Sequence, residues 1–201
     1  MSQASECTYT DEHLLSIDSE LRAEADDLLD RRGLRNLLQP FGQFRVVGSY
    51  ALHLMTWRDL DIALNAPAME VNRFFELGRR ALAALHPSKM SFTNGRDFAD
   101  MPPPRGLYWG IRLGDIKKDA WKIDIWAFDH ELWLQKSAEC EHLKQSLNQE
   151  SQLAILRLKS QLCRDPRYRD EVTSADLYDA VLRQGCRSLA EFWANIGGAF
   201  T

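Results

Sequence analysis

The stretch Val46-Val47-Gly48-Ser49-Tyr50-Ala51-Leu52-His53-Leu54-Met55-Thr56-Trp57-Arg58-Asp59-Leu60-Asp61-Ile62-Ala63-Leu64 constrains the fold more than any other part of the chain. An apolar run ends in a Gly-Ser pair, and a second apolar run is entered through two aspartates. Aspartate is depleted in strands because its short polar side chain competes for backbone hydrogen bonds. Residues i and i+2 of a strand share a face. Asp59 and Asp61 therefore project together while Leu60 and Ile62 face a core. Two carboxylates that close repel unless a cation sits between them. Magnesium, a hard ion that takes oxygen ligands, is the natural candidate. The plain alternative is a strand-edge pair facing water.

A third aspartate has similar surroundings. Lys122-Ile123-Asp124-Ile125-Trp126 puts Asp124 on one face, with Ile123 and Ile125 on the other. If that strand lies beside the first, Asp124 completes a cluster able to hold two metal ions about 3.5–4 Å apart, as in-line phosphoryl or nucleotidyl transfer requires. The competing reading is an exposed hairpin in which Lys122 is only a surface neighbour. Gly48 lets backbone approach a phosphate, Ser49 offers a hydroxyl, and N–H groups at a following helix start favour anions.

The rest of the chain frames this stretch. Leu14, Leu15, Ile17, Leu21, Ala25, Leu28 and Leu29 recur at helical spacing from Asp11 to Gly33. Phe44 to Val47 reads as a strand, Tyr50 to Met55 as a short helix, Leu60 to Leu64 as a strand entered at Asp59. Ala68 to Leu85 reads as a helix burying Phe74, Phe75, Leu77, Ala81 and Leu82. His86 to Arg105, with Pro102-Pro103-Pro104, is irregular, a loop near the site or a lid, with room for a strand over Lys89 to Thr93. Leu107 to Leu113 and Trp121 to Phe128 form an antiparallel hairpin. Glu139 to Cys163 reads as one helix ended by Asp165-Pro166, and Ser174 and Ser188 begin two more. The domain division expected is 1–130 and 131–201.

Gly48-Ser49, nine intervening residues, Asp59-Leu60-Asp61 and the later Asp124 together resemble the signature of the DNA polymerase β-like nucleotidyltransferase superfamily. The match covers roughly residues 44–128. The later helices are similar to the helical region of minimal and antibiotic-modifying members. Where many minimal members carry an arginine after Gly-Ser and a small polar residue before the first aspartate, this chain has Tyr50 and Arg58. The resemblance implies an α/β (α+β) fold, a small mixed β-sheet flanked by helices and followed by a C-terminal helical region. It implies that Asp59, Asp61 and Asp124 bind two Mg²⁺ ions and that Gly48 and Ser49 contact the triphosphate. The expected activity is transfer of a nucleoside monophosphate, with ATP or another nucleoside triphosphate as co-substrate, to a hydroxyl on a small molecule or protein. A second class of reading is a catalytically idle member, a nucleotide sensor or half of a toxin–antitoxin pair.

Other residues carry two readings each. Arg58 reads as a phosphate contact or as an ion-pair partner, and Lys159 as a phosphate contact or a solvated lysine. His53 is a packing or helix-surface residue or a catalytic one, and Trp109 a packing residue or a stacking platform. Arg164, Arg167 and Arg169 alternate with acids and read as a salt-bridged surface. A net charge of -4 and the lack of a basic stripe argue against nucleic acid as partner. No apolar run approaches a membrane span, and Met1 to Glu20 lacks the features of a signal peptide. Cys7, Cys140, Cys163 and Cys186 are far apart and read as free thiols of a cytoplasmic protein. Oligomeric state has no readable signal.

Overall fold

A computed structural model describes residues 9–98, 104–163, 165–168 and 171–198 of the chain. It contains two compact units. One is continuous, Leu21–Gln145, and carries the sheet; the other joins the residues up to Glu20 with those from Ser146 onward and is helical. The chain crosses between the units twice, after Glu20 and after Gln145.

Five strands form the sheet: β1 (Gln43–Val47), β2 (Asp59–Asn65), β3 (Lys89–Asn94), β4 (Leu107–Leu113) and β5 (Trp121–Phe128), in the order β1-β2-β5-β4-β3. β2 and β5 pair in parallel and every other pair is antiparallel. The mixed sheet with flanking helices is the architecture expected.

Alternation decides which side of the sheet is dry. Leu60, Ile62 and Leu64 of β2, Ile123 and Ile125 of β5, and Leu107, Trp109 and Ile111 of β4 are all buried. Helix α4 (Val71–Leu85) presents Phe74, Leu77 and Ala81 as a buried stripe. Its contact with β4 includes a bond from the Trp109 indole N–H to the Phe74 carbonyl at 2.9 Å. Burial of each such large side chain stabilises by about 1.5–3 kcal/mol. Phe75 and Leu82, expected inside, are 45% and 53% exposed, because the stripe at positions 74, 77, 78, 81 and 85 leaves them on its shoulders.

The opposite face carries the aspartates at one end. At the other end it is covered by α5 (His130–Ser146), whose Trp133 donates its indole N–H to the Ala63 carbonyl at 3.1 Å. Ala63, Phe128 and Trp133 form a small core there. A short helix α3 (Gly48–Leu52) follows β1 directly, and α2 (Leu34–Leu38) precedes it.

In the helical unit, α6 (Gln149–Leu162) packs with α7 (Ser174–Leu182) and α8 (Leu189–Gly198). The single helix expected over Glu139 to Cys163 is two helices. Asn148 caps α6: its side chain accepts from the Ser151 N–H at 2.9 Å, and the Ser151 hydroxyl accepts from the Asn148 N–H at 3.0 Å. This reciprocal capping box competes with continuation of α5. The N-terminal helix α1 (Asp11–Asp26) likewise ends earlier than its leucine pattern, in a π-helical turn over Asp27–Arg31.

Candidate active site

Register assembles the site. Asp61 stands directly opposite Asp124 across the parallel β2–β5 pair, and Asp59 stands opposite Lys122. One carboxylate oxygen from each of Asp59, Asp61 and Asp124 lies within 4.8 Å of the others. Asp124 is 7% exposed and the other two are half-buried. The Tyr108 hydroxyl, on β4, donates to Asp124 Oδ1 at 2.9 Å. Lys122 Nζ donates to Asp124 Oδ2 at 2.5 Å and to Asp59 Oδ1 at 3.2 Å. The Trp57 indole N–H reaches Asp59 Oδ2 at 3.4 Å.

The electrostatics follow from this packing. Burial pushes the Asp124 carboxyl above its usual range, against the pull of the Lys122 ammonium. Burial works to lower Lys122, but Asp59 and Asp124 outweigh it and the ammonium is held more firmly than usual. Tyr108 is pushed up by burial first and then by the charge of Asp124, so it remains a hydrogen-bond donor.

Gly48 sits over this cluster. Val47, the last residue of β1, is paired with Asp61, so the turn leaves the sheet beside the second aspartate. Gly48 has φ 66°, and a Cβ placed there would lie 2.4 Å from Asp61 Oδ2. Glycine is favoured on both counts: φ lies in the left-handed region, and a larger residue would have to push the Asp61 carboxylate aside. Its backbone N–H bonds the Cys140 thiol on α5, while burial raises that thiol above its ordinary value. Ser49 is buried in the first turn of α3.

Gly48 and the three aspartates thus come together within the sheet unit, with Ser49 next to Gly48 in the chain. Arg58 is engaged elsewhere: its guanidinium forms a two-pronged pair with Glu24 at 2.6 and 2.7 Å, and the Trp121 indole N–H joins Glu24 at 3.1 Å. Lys159 belongs to the helical unit. It is fully buried rather than solvated, with Nζ 3.4 Å from the Tyr178 hydroxyl. Trp109 is a packing residue among Phe74, Phe75 and Phe92. His53 is an exposed, left-handed cap at the end of α3. Arg167 pairs with Asp165 at 2.7 Å; Arg164 and Arg169 lie outside the described residues, as do Cys7 and part of the suspected lid. Cys140, Cys163 and Cys186 are free thiols.

Lys122, Tyr108 and Cys140 are not singled out by the sequence as parts of the site. For Lys122 a signal exists: two residues before Asp124, it has to share that face. Tyr108 requires the β4–β5 register, and Cys140 a contact across 92 residues of chain, from 48 to 140.

The donor set fits a hard divalent ion. It consists of carboxylates without thiolate or imidazole, and three negative groups converge in a half-buried space with one ammonium among them.

No protein-family model matches the chain, and no curated protein does. Solved structures do. The Cid1 poly(U) polymerase with Mg 3′-dATP bound aligns over 86% of this chain and 54% of its own, with a TM-score of 0.58 and 14% identity. A cytoplasmic RNA terminal U-transferase aligns over 85% and 54%, with a TM-score of 0.52 and 15% identity. Terminal uridylyl transferase 4 from Trypanosoma brucei, with bound UPU, aligns over 84% and 57%, with a TM-score of 0.51 and 12% identity. The chain spans about half the length of these proteins. At such identities the likeness is one of fold, and the fold is of the nucleotidyltransferase type. The neighbours are poly(U)- and uridylyl-adding enzymes, so the resemblance to minimal and antibiotic-modifying members gains no support from them.

Proposed function

We propose that this chain is a Mg²⁺-dependent nucleotidyltransferase that moves a nucleoside monophosphate from a nucleoside triphosphate to a hydroxyl acceptor. The observation that carries this is the convergence of Asp59, Asp61 and Asp124 beneath the Gly48 turn. The three carboxylates would hold two ions, which supply charge neutralisation on the phosphates and acidify the acceptor hydroxyl.

The chain's own residues supply the positioning. Gly48 and Ser49 would face the triphosphate. Tyr108 fixes one oxygen of Asp124, which orients the most buried carboxylate. Asp124 is the group we assign to the acceptor proton. Arg58, held by Glu24, would steady the start of β2 from its place beside Asp59.

ATP is the nucleotide we expect, and the UTP selectivity named for Cid1 makes UTP the comparison. For the acceptor, one observation favours a reading other than a small molecule or protein. Lys122, Arg112 and Lys89 stand opposite one another across β5, β4 and β3, in the same cross-strand row as Asp59. Like charges directly opposite are destabilising, and the Arg112 guanidinium makes no ion pair among the described residues. Such a row suits a phosphodiester acceptor, as do neighbours that include an RNA terminal U-transferase. The exclusion of nucleic acid on net charge therefore loses its ground, because a total charge does not say where basic side chains stand, and Arg112 and Lys89 stand side by side in this row.

The test is pyrophosphate release from each of the four nucleoside triphosphates with Mg²⁺, offered single-stranded RNA, an aminoglycoside panel or no acceptor. Release that requires Asp59 and Asp61 supports the proposal. Absence of metal-dependent nucleotide binding in the wild type overturns it. Binding without release on any acceptor supports the catalytically idle alternative.

A further inference from the structure

We infer that Lys122 is the built-in counter-cation of the carboxylate site. Its ammonium holds Asp59 and Asp124 together, and a divalent ion must displace it from them to bind. Lys122 has that role only where the three aspartates are the metal site proposed above.

Lys122 reaches its place by strand alternation from Asp124 and by register with Asp59. Its side chain is 24% exposed, so it is not a solvated lysine that lies nearby by chance. Its Nζ hydrogen bonds go to Asp59 and Asp124. A lysine carries three N–H donors and no acceptor, so it satisfies carboxylates as a compact point charge.

Both oxygens of Asp124 are engaged, Oδ1 by the Tyr108 hydroxyl and Oδ2 by Lys122. An ion that takes Asp59 and Asp124 as ligands competes with the ammonium for the same negative charge. Metal affinity is thus reduced by whatever the Lys122 contacts contribute. Without Lys122, three carboxylates within 4.8 Å would repel with nothing between them.

Removing the ammonium then has two opposite effects. The metal-free protein loses stability, and the metal binds more tightly. A lysine that merely supports the fold would produce the first effect without the second.

The experiment measures Mn²⁺ binding to the full chain by the electron paramagnetic resonance of free ion, and thermal melting in EDTA and in Mn²⁺. Wild type, Lys122→Met, Lys122→Arg and Asp59→Asn are compared. Lys122→Met is expected to bind Mn²⁺ about tenfold more tightly, to melt lower in EDTA and to gain more on adding Mn²⁺. Lys122→Arg should stay near wild type. Wild-type binding with unchanged or weaker binding by Lys122→Met overturns the role of Lys122 and leaves the metal site intact. If neither wild type nor Asp59→Asn binds Mn²⁺, the role and the metal site fall together. Should Lys122→Met not fold in EDTA, Lys122→Gln, which keeps N–H donors without charge on a side chain one bond shorter, decides by the same comparison.

Discussion

Gly48 concentrates the constraints of the site in a single residue. Its left-handed backbone favours glycine, and any side chain there would displace the Asp61 carboxylate. Gly48→Ala should therefore cost about 1–2 kcal/mol of stability, read by denaturant unfolding. It should also weaken Mn²⁺ binding, since Asp61 must move. Tyr108 acts more narrowly. Tyr108→Phe removes one hydrogen bond to Asp124 and should lower turnover severalfold with the melting temperature changed little, a loss of about 1 kcal/mol in positioning. Glu24 gives a pH prediction. The hydrogen bond from Arg58 holds its carboxyl below the usual range, against burial, with Trp121 adding to the effect. A depressed carboxyl contributes stability above its unfolded value, about pH 4.3, and loses it as pH falls through its folded value. Glu24→Gln should thus be less stable than wild type at pH 7 by under about 1 kcal/mol, given its exposure. The two should converge only once the pH falls below the folded value of Glu24, which itself lies under about 4.3.

At the scale of elements, strands are more readable than helices. Period-two alternation forces Leu60, Ile62, Ile123 and Ile125 to one side and the aspartates to the other, and the β4 and β5 boundaries fall where the apolar runs begin and end. Helical periodicity is more forgiving. Leucines on both sides of Asn148 keep their spacing through a break that only the capping chemistry reveals. Phe75 and Leu82 fit the apolar pattern of α4 and still lie outside its buried stripe. The partners of Arg58 and Gly48 are illegible for a different reason: Glu24 and Cys140 are distant in sequence, and no local pattern encodes such contacts. Asn148→Ala should destabilise by about 1 kcal/mol, seen as an earlier onset of melting in far-ultraviolet dichroism.

At the scale of the molecule, charge is distributed unevenly. A total of -4 coexists with the Lys89, Arg112 and Lys122 row on one sheet face. Fluorescence anisotropy with single-stranded RNA should show binding that weakens with salt. Each phosphate neutralised by a basic side chain adds roughly 0.7 to the steepness of the logarithmic salt dependence. Arg112→Ala with Lys89→Ala should flatten that slope, whatever the RNA sequence. An unchanged slope would argue for a small or protein acceptor.

The strand order has a consequence in time as well as in space. Asp59 and Asp61 are made early in the chain, and their partner Asp124 arrives only after α4, β3 and β4 have been laid down. A parallel pair needs such a crossover, and long-range pairing is slow to form. A chain released before Trp121 holds two of the carboxylates and lacks the strand that faces them. Manganese binding during refolding would then appear late, with the closing of β2 on β5, and would report on completion of the sheet.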